Sequence, residues 1–121
     1  MVALFSFVEV TSAQECNWSF VGTWKMEVSC GTNNMINTVK IKKAGADVII
    51  GTTNVGDGFG KIVSGNFDGK NVKFLNKFVY DGFRHSETWK GVLSQDGTYF
   101  KGSFRGTLQG DTTCQFAGAR K

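Results

Sequence analysis

The chain predicts an all-β fold, an eight-stranded antiparallel up-and-down β-barrel with no significant helix, and three observations carry that reading. Four Asp-Gly pairs, Asp57-Gly58, Asp68-Gly69, Asp81-Gly82 and Asp96-Gly97, punctuate the second half at strand-length intervals. Asp-Gly takes the positive backbone angles of tight hairpin turns, so each pair marks a reversal between neighbouring strands. Apolar and polar residues alternate between the pairs, and no segment shows the longer period of an amphipathic helix. Composition agrees: 11 Phe and 3 Trp suit pleated, half-buried surfaces, while 16 Gly and no Pro supply turns and keep every amide available to a ladder.

The strands fall in order at roughly 19–30, 35–43, 46–53, 59–67, 71–80, 84–94, 98–106 and 112–119. Their breaks are Gly31-Thr32-Asn33-Asn34, Ala44-Gly45, the loop Asn54 to Gly58, the later Asp-Gly pairs and Gln109-Gly110-Asp111. The two-residue phase points Phe20, Gly22, Trp24, Met26, Val28 and Cys30 of the first strand inward. Val39, Ile41, Val48, Ile50, Val63 and Phe67 extend the core through the next three strands, although Val48-Ile49-Ile50 lacks alternation. The fifth strand presents Val72, Phe74, Asn76, Phe78 and Tyr80, and the sixth His85, Glu87, Trp89, Gly91 and Leu93. Phe100, Gly102 and Phe104, then Cys114, Phe116 and Gly118, complete the ring. Eight short strands with short connections favour a closed barrel, which has no edges, over a sandwich with its longer crossovers.

Closure sets the first strand antiparallel to the eighth. Cys30 ends one and Cys114 lies early in the other, both on the inward phase, so they are expected to form the seam disulfide and leave Cys16 free or in an intermolecular bond. The same register places Gly118 opposite Met26 and Arg120 opposite Trp24.

Residues 1–13 read as a truncated signal peptide, an apolar run followed by Thr11-Ser12-Ala13 with cleavage after Ala13. Residues 14–121 then form a single barrel domain, secreted or periplasmic, where a disulfide persists. The rival reading of the first segment is an extra strand. No stretch reaches the length of a transmembrane helix. Asn17-Trp18-Ser19 has the form of a glycosylation sequon. The formal charge of +4 comes mostly from Lys and Arg in mid-strand. Such a wall can attract heparin-like glycans, anionic lipid or nucleic acid. A soluble outer face is the stronger reading, and no Lys/Arg cluster is dense enough for a nucleic-acid site.

Gly22-Thr23-Trp24, opening the first strand with Arg120 matched to it, resembles the start of the lipocalin and avidin barrels. In lipocalins that Trp closes one end and a late Arg packs across it, a role the resemblance gives to Arg120. His85-Ser86-Glu87-Thr88-Trp89-Lys90-Gly91 is similar to a stretch of the bacterial avidins, one residue shorter. The biotin-binding Asn and Ser of that family are replaced here by Met26 and Cys30, so biotin is not the expected ligand. Small bacterial metalloprotease inhibitors share the outline too. Their inhibitory arm would correspond to Gln14 to Phe20.

No nucleophile elbow, phosphate loop, metal spacing or cofactor motif is present, and the lone His85 has no nucleophile beside it in sequence. The inward polar residues Asn76, Tyr80, His85 and Glu87 would orient a ligand's head near one mouth, with Trp24, Phe74, Phe78, Trp89 and Phe104 covering an apolar body. The plain alternative is that residues beside a turn are solvated. The Gly-rich stretch around Gly56-Asp57-Gly58-Phe59-Gly60 could serve as a lid. The expected function is non-enzymatic binding of a small, partly apolar ligand. A protein-binding barrel such as a protease inhibitor is second, and a barrel-type cyclase using Glu87 and His85 is third.

Overall fold

A computed structural model describes residues 19–55, 58–108, 110 and 112–121. The expected leader, Cys16, Asn17 and Trp18 of the sequon, and Gln14 to Trp18 of the expected arm lie outside these residues. The strands are β1 (Gly22–Cys30), β2 (Asn33–Gly45), β3 (Val48–Val55), β4 (Gly58–Phe67), β5 (Asn71–Tyr80), β6 (Phe83–Leu93), β7 (Tyr99–Gly106) and β8 (Thr113–Arg120). Each pairs with its sequence neighbour, and β1 pairs with β8 to close the barrel.

The turns show why the Asp-Gly pairs work. At Asp81-Gly82 both residues have positive φ, 52° and 81°, and join the directly paired Tyr80 and Phe83. Asp68 acts through its carboxylate, which accepts from the amides of Lys70 and Asn71 at 3.0 and 2.7 Å. Asp96 likewise accepts from the hydroxyls of Ser94 and Thr98, each at 2.7 Å. These bonds hold both exposed carboxyls below the usual carboxylate range, with Asn71 the largest influence on Asp68 and Thr98 on Asp96.

Two bulges interrupt the ladders. The β2–β3 register shifts between Ile41 and Lys43, the extra residue Lys42 belonging to β2, while β3 keeps one unbroken phase that buries Ile49, Gly51 and Thr53 and points Ile50 out at 42% exposure. The β4–β5 register shifts between Ile62 and Ser64, burying Ile62 and exposing Val63. An extra residue moves every later side chain of its own strand to the other face. Val48, Ile50 and Val63 leave the expected core, and Ile49 and Ile62 enter it. Of the expected lid, Gly58–Gly60 belong to β4, with Val55 paired to Gly58 and Asn54 to Phe59, and Gly56 and Asp57 lie outside the described residues.

The β1–β8 seam has the expected register, Trp24 opposite Arg120 and Met26 opposite Gly118, and Cys30 is bonded to Cys114. One barrel end is closed by rings. Phe20 packs on Trp24, Phe67 and Phe100, and Trp24 donates its indole N–H to the Phe20 carbonyl at 3.1 Å. The Arg120 guanidinium lies 4.4 Å from the Trp24 ring centre and bonds the carbonyls of Ser19 and Val21, each at 2.6 Å, and of Gly97 at 3.1 Å. Phe116 joins this plug to the middle of the barrel, where Trp89 stacks between Phe74 and Phe104. Gly91 marks how tightly the rings fit, because a Cβ there would stand 2.5 Å from the Phe100 ring.

Candidate functional site

The other barrel end carries the hairpin at Asp81-Gly82 and the chain around Thr107, and its inward residues turn polar. Asn37 on β2, Thr53 on β3, Asn76 on β5 and Glu87 on β6 are all buried, none more than 1% exposed. Three of them form a chain. Thr53 Oγ1 donates to Asn76 Oδ1 at 3.0 Å, Asn76 Nδ2 donates to Glu87 Oε1 at 3.2 Å, and Trp89 Nε1 donates to the same oxygen at 3.0 Å. Gly60 makes room for it, since a Cβ there would press on both Thr53 and Asn76.

The polar layer is incompletely satisfied. Glu87 Oε2 and both amide atoms of Asn37 find no hydrogen-bond partner among the described residues. A buried polar atom without a partner costs about 1–3 kcal/mol, so three such atoms at one level need a reason. The strands β2 and β6 stand on opposite sides of an eight-strand ring, so these groups approach the lumen from facing walls. Burial pushes the Glu87 carboxyl above its ordinary value, against the opposing pull of the Trp89 and Asn76 hydrogen bonds and the His85 charge. A protonated Glu87 keeps Oε1 as acceptor for its two donors and offers an O–H from Oε2 to the lumen.

Above this layer Phe78 stacks on His85, ring centres 5.4 Å apart, and His85 Nδ1 shares a hydrogen bond with Thr107 Oγ1 at 2.9 Å. A groove of about 690 Å³ reaches from these rings onto the outer wall, where Phe59, Lys61, Lys77, Val79 and Arg84 lie on the outward phase of their strands. Tyr80, half-exposed at 50%, stands at the hairpin tip with Phe83.

The nine residues expected to line a pocket thus divide by depth. Asn76, Phe78, His85 and Glu87 come together at the open end. Phe74, Trp89 and Phe104 form the stacked floor beneath, while Tyr80 stands outside on the rim. Trp24 sits in the plug at the far end. Glu87 is sealed in rather than solvated. Sequence reasoning passed over Asn37, Thr53 and Thr107. Asn37 shares the phase of Val39 and Ile41 and was available to it, whereas Thr53 was hidden by the misphased third strand.

These features define a class: a disulfide-closed, eight-stranded antiparallel barrel, compatible with a lipocalin-like fold, plugged at one end and polar within the other. Compared with protein-family models, curated proteins and solved structures, the chain matches none. Among the described residues no group of three or more His, Cys, Asp or Glu could hold a metal ion, and no helix is long and apolar enough to cross a membrane.

Proposed function

We propose that this protein is an exported, non-enzymatic barrel that binds a small, partly apolar ligand at its open end. The single observation that carries the reading is the unpartnered set of Asn37 and Glu87 Oε2 in the one polar layer of the interior. A ligand head with both a donor and an acceptor, such as a carboxamide or hydroxyl group, complements an Asn amide across the lumen from a carboxyl whose neutral form is favoured by burial. The apolar body rests against Phe78, the inward ring above the polar layer. Trp24 and the closed end act as scaffold. The disulfide is compatible with export, which supports the compartment in this reading without carrying it.

Tryptophan emission tests it. Trp89 donates to the Glu87 oxygen next to the free one, so a ligand engaging Glu87 alters the Trp89 environment. A panel of small amides, alcohols and acids with apolar tails should include compounds that shift the emission saturably, and Asn37→Leu should abolish the shift. An unresponsive parent protein, or a response unchanged in Asn37→Leu, contradicts the proposal. The inhibitor reading has less room: Phe20 is locked in the core and the Ser19 carbonyl is held by Arg120, so only residues ahead of them could act as an arm.

A further inference from the structure

We infer that the outer wall of β4 to β7 is a docking surface for a linear sulfated polysaccharide, a function separate from the open-end ligand site. The basis is the distribution of charge. The five strands β4 to β8 contain one carboxylate, Glu87, and it points inward. Their outer faces expose Lys61, Lys73, Lys77, Arg84, Lys90 and Lys101. Lys61 lies directly opposite Lys77, and Lys73 directly opposite Lys90, so β5 contributes to two like-charge pairs. Lys101 pairs with Val92, which sets it diagonally from Lys90.

Directly opposed like charges destabilise a sheet. Solubility does not require them, because a wall of mixed charge serves it equally well. Lysines that guard an exposed edge are a common device, but this barrel is closed and has no edge to guard. No carboxylate among the described residues pairs with these four lysines. The arrangement makes sense as a site completed by an anion from outside.

The shape of the wall selects the anion. Lys73 and Lys77 are four residues apart on β5, about 13 Å along the strand, and the partners on β4 and β6 double each end. Cations spread over a convex wall are followed by a flexible linear polymer, whereas a flat bilayer meets only a few at once. Single-stranded nucleic acid favours aromatic platforms among the cations, whereas the exposed rings Phe59 and Tyr99 flank the cluster at its two ends, beside Lys61 and Lys101, and no ring lies between the two opposed lysine pairs. Thr88 and Ser103 alternate outward with Lys90 and Lys101 and add hydroxyl donors. Sulfate oxygens, rather than bases or lipid tails, match that set.

The test is binding of a fluorescent heparin octasaccharide at physiological salt, measured by anisotropy on the whole protein. The quadruple variant Lys61→Gln, Lys73→Gln, Lys77→Gln, Lys90→Gln should lose ~100-fold in affinity, the scale expected when several counterion-releasing contacts disappear. A charge-matched control, Lys25→Gln, Lys40→Gln, Lys42→Gln, Lys43→Gln on the opposite wall, should lose no more than ~3-fold. Lys73→Glu provides a check independent of the quadruple fold: it gains a cross-strand partner in Lys90, so it should melt no lower than the parent while binding more weakly. Equal losses in the two quadruple variants would mean a net-charge effect and overturn the inference. So would undetectable parent binding, or tighter binding to single-stranded DNA of equal charge or to anionic vesicles. Lys73 and Lys90 lie away from the groove at Phe78 and His85, so Lys73→Glu also separates failure here from failure of the ligand site.

Discussion

Glu87 is the residue on which the site turns, and its ionisation has a readable sign. Its carboxyl is raised above the ordinary 4.5 in the folded protein because burial disfavours the charge. A raised carboxyl stabilises the fold fully below the unfolded value, and that contribution is lost as pH rises through the folded value. Glu87→Gln preserves an acceptor for Asn76 and Trp89 and carries no charge, so its stability should not show this decline. Chemical denaturation of parent and variant across pH 4 to 8, about the window in which a raised carboxyl titrates, checks it; parallel curves would mean that Glu87 does not titrate there. Asn37→Leu removes two unpartnered atoms and should stabilise the fold by about 1–3 kcal/mol. Arg120 belongs to the scaffold. Arg120→Ala loses three carbonyl bonds and the ring contact, so it should cost about 2–4 kcal/mol, whereas coincident denaturant midpoints would mean that the plug does not depend on it.

At the scale of the element, the strands and seam were legible because their signals are local. Asp-Gly pairs mark reversals, alternation assigns faces, and antiparallel closure fixes which residues of β1 meet β8. The interior phase of β3 and β4 was not legible. Val48-Ile49-Ile50 offers an apolar side chain to either face, and Ile62-Val63 does the same, so only the partner strand decides where the bulge falls. The polar layer suffered from this, since Thr53 follows Ile49 in the unbroken inward phase of β3 and is hidden once Val48 and Ile50 are read as inward. The seam gives an element-scale prediction. Cys30 and Cys114 close a chain separation of 84 residues. Replacing both by Ser should lower stability by about 4 kcal/mol on the chain-entropy scale, measured by denaturant unfolding of the oxidised parent and the variant. At the β5–β6 hairpin Gly82 has φ of 81°, so Gly82→Ala should cost about 1–2 kcal/mol, and an unchanged melting temperature would show that the turn relaxes freely.

For the molecule as a whole, the two ends of one barrel do different work. At the plugged end aromatic packing, Arg120 and the β1–β8 ladder fix the fold. At the other end, buried polar groups that lower stability are retained beneath Phe78 and His85. Whether those groups exist to hold a ligand is most directly tested by native mass spectrometry. Parent, Glu87→Gln and Asn37→Leu proteins would be purified without denaturation and compared after exposure to the same extract of small molecules. The account predicts a discrete small-molecule adduct on the parent, its retention by Glu87→Gln, and its loss from an Asn37→Leu protein that is at least as stable as the parent. A parent that carries no adduct under any of these conditions, or an adduct that survives Asn37→Leu intact, would contradict it.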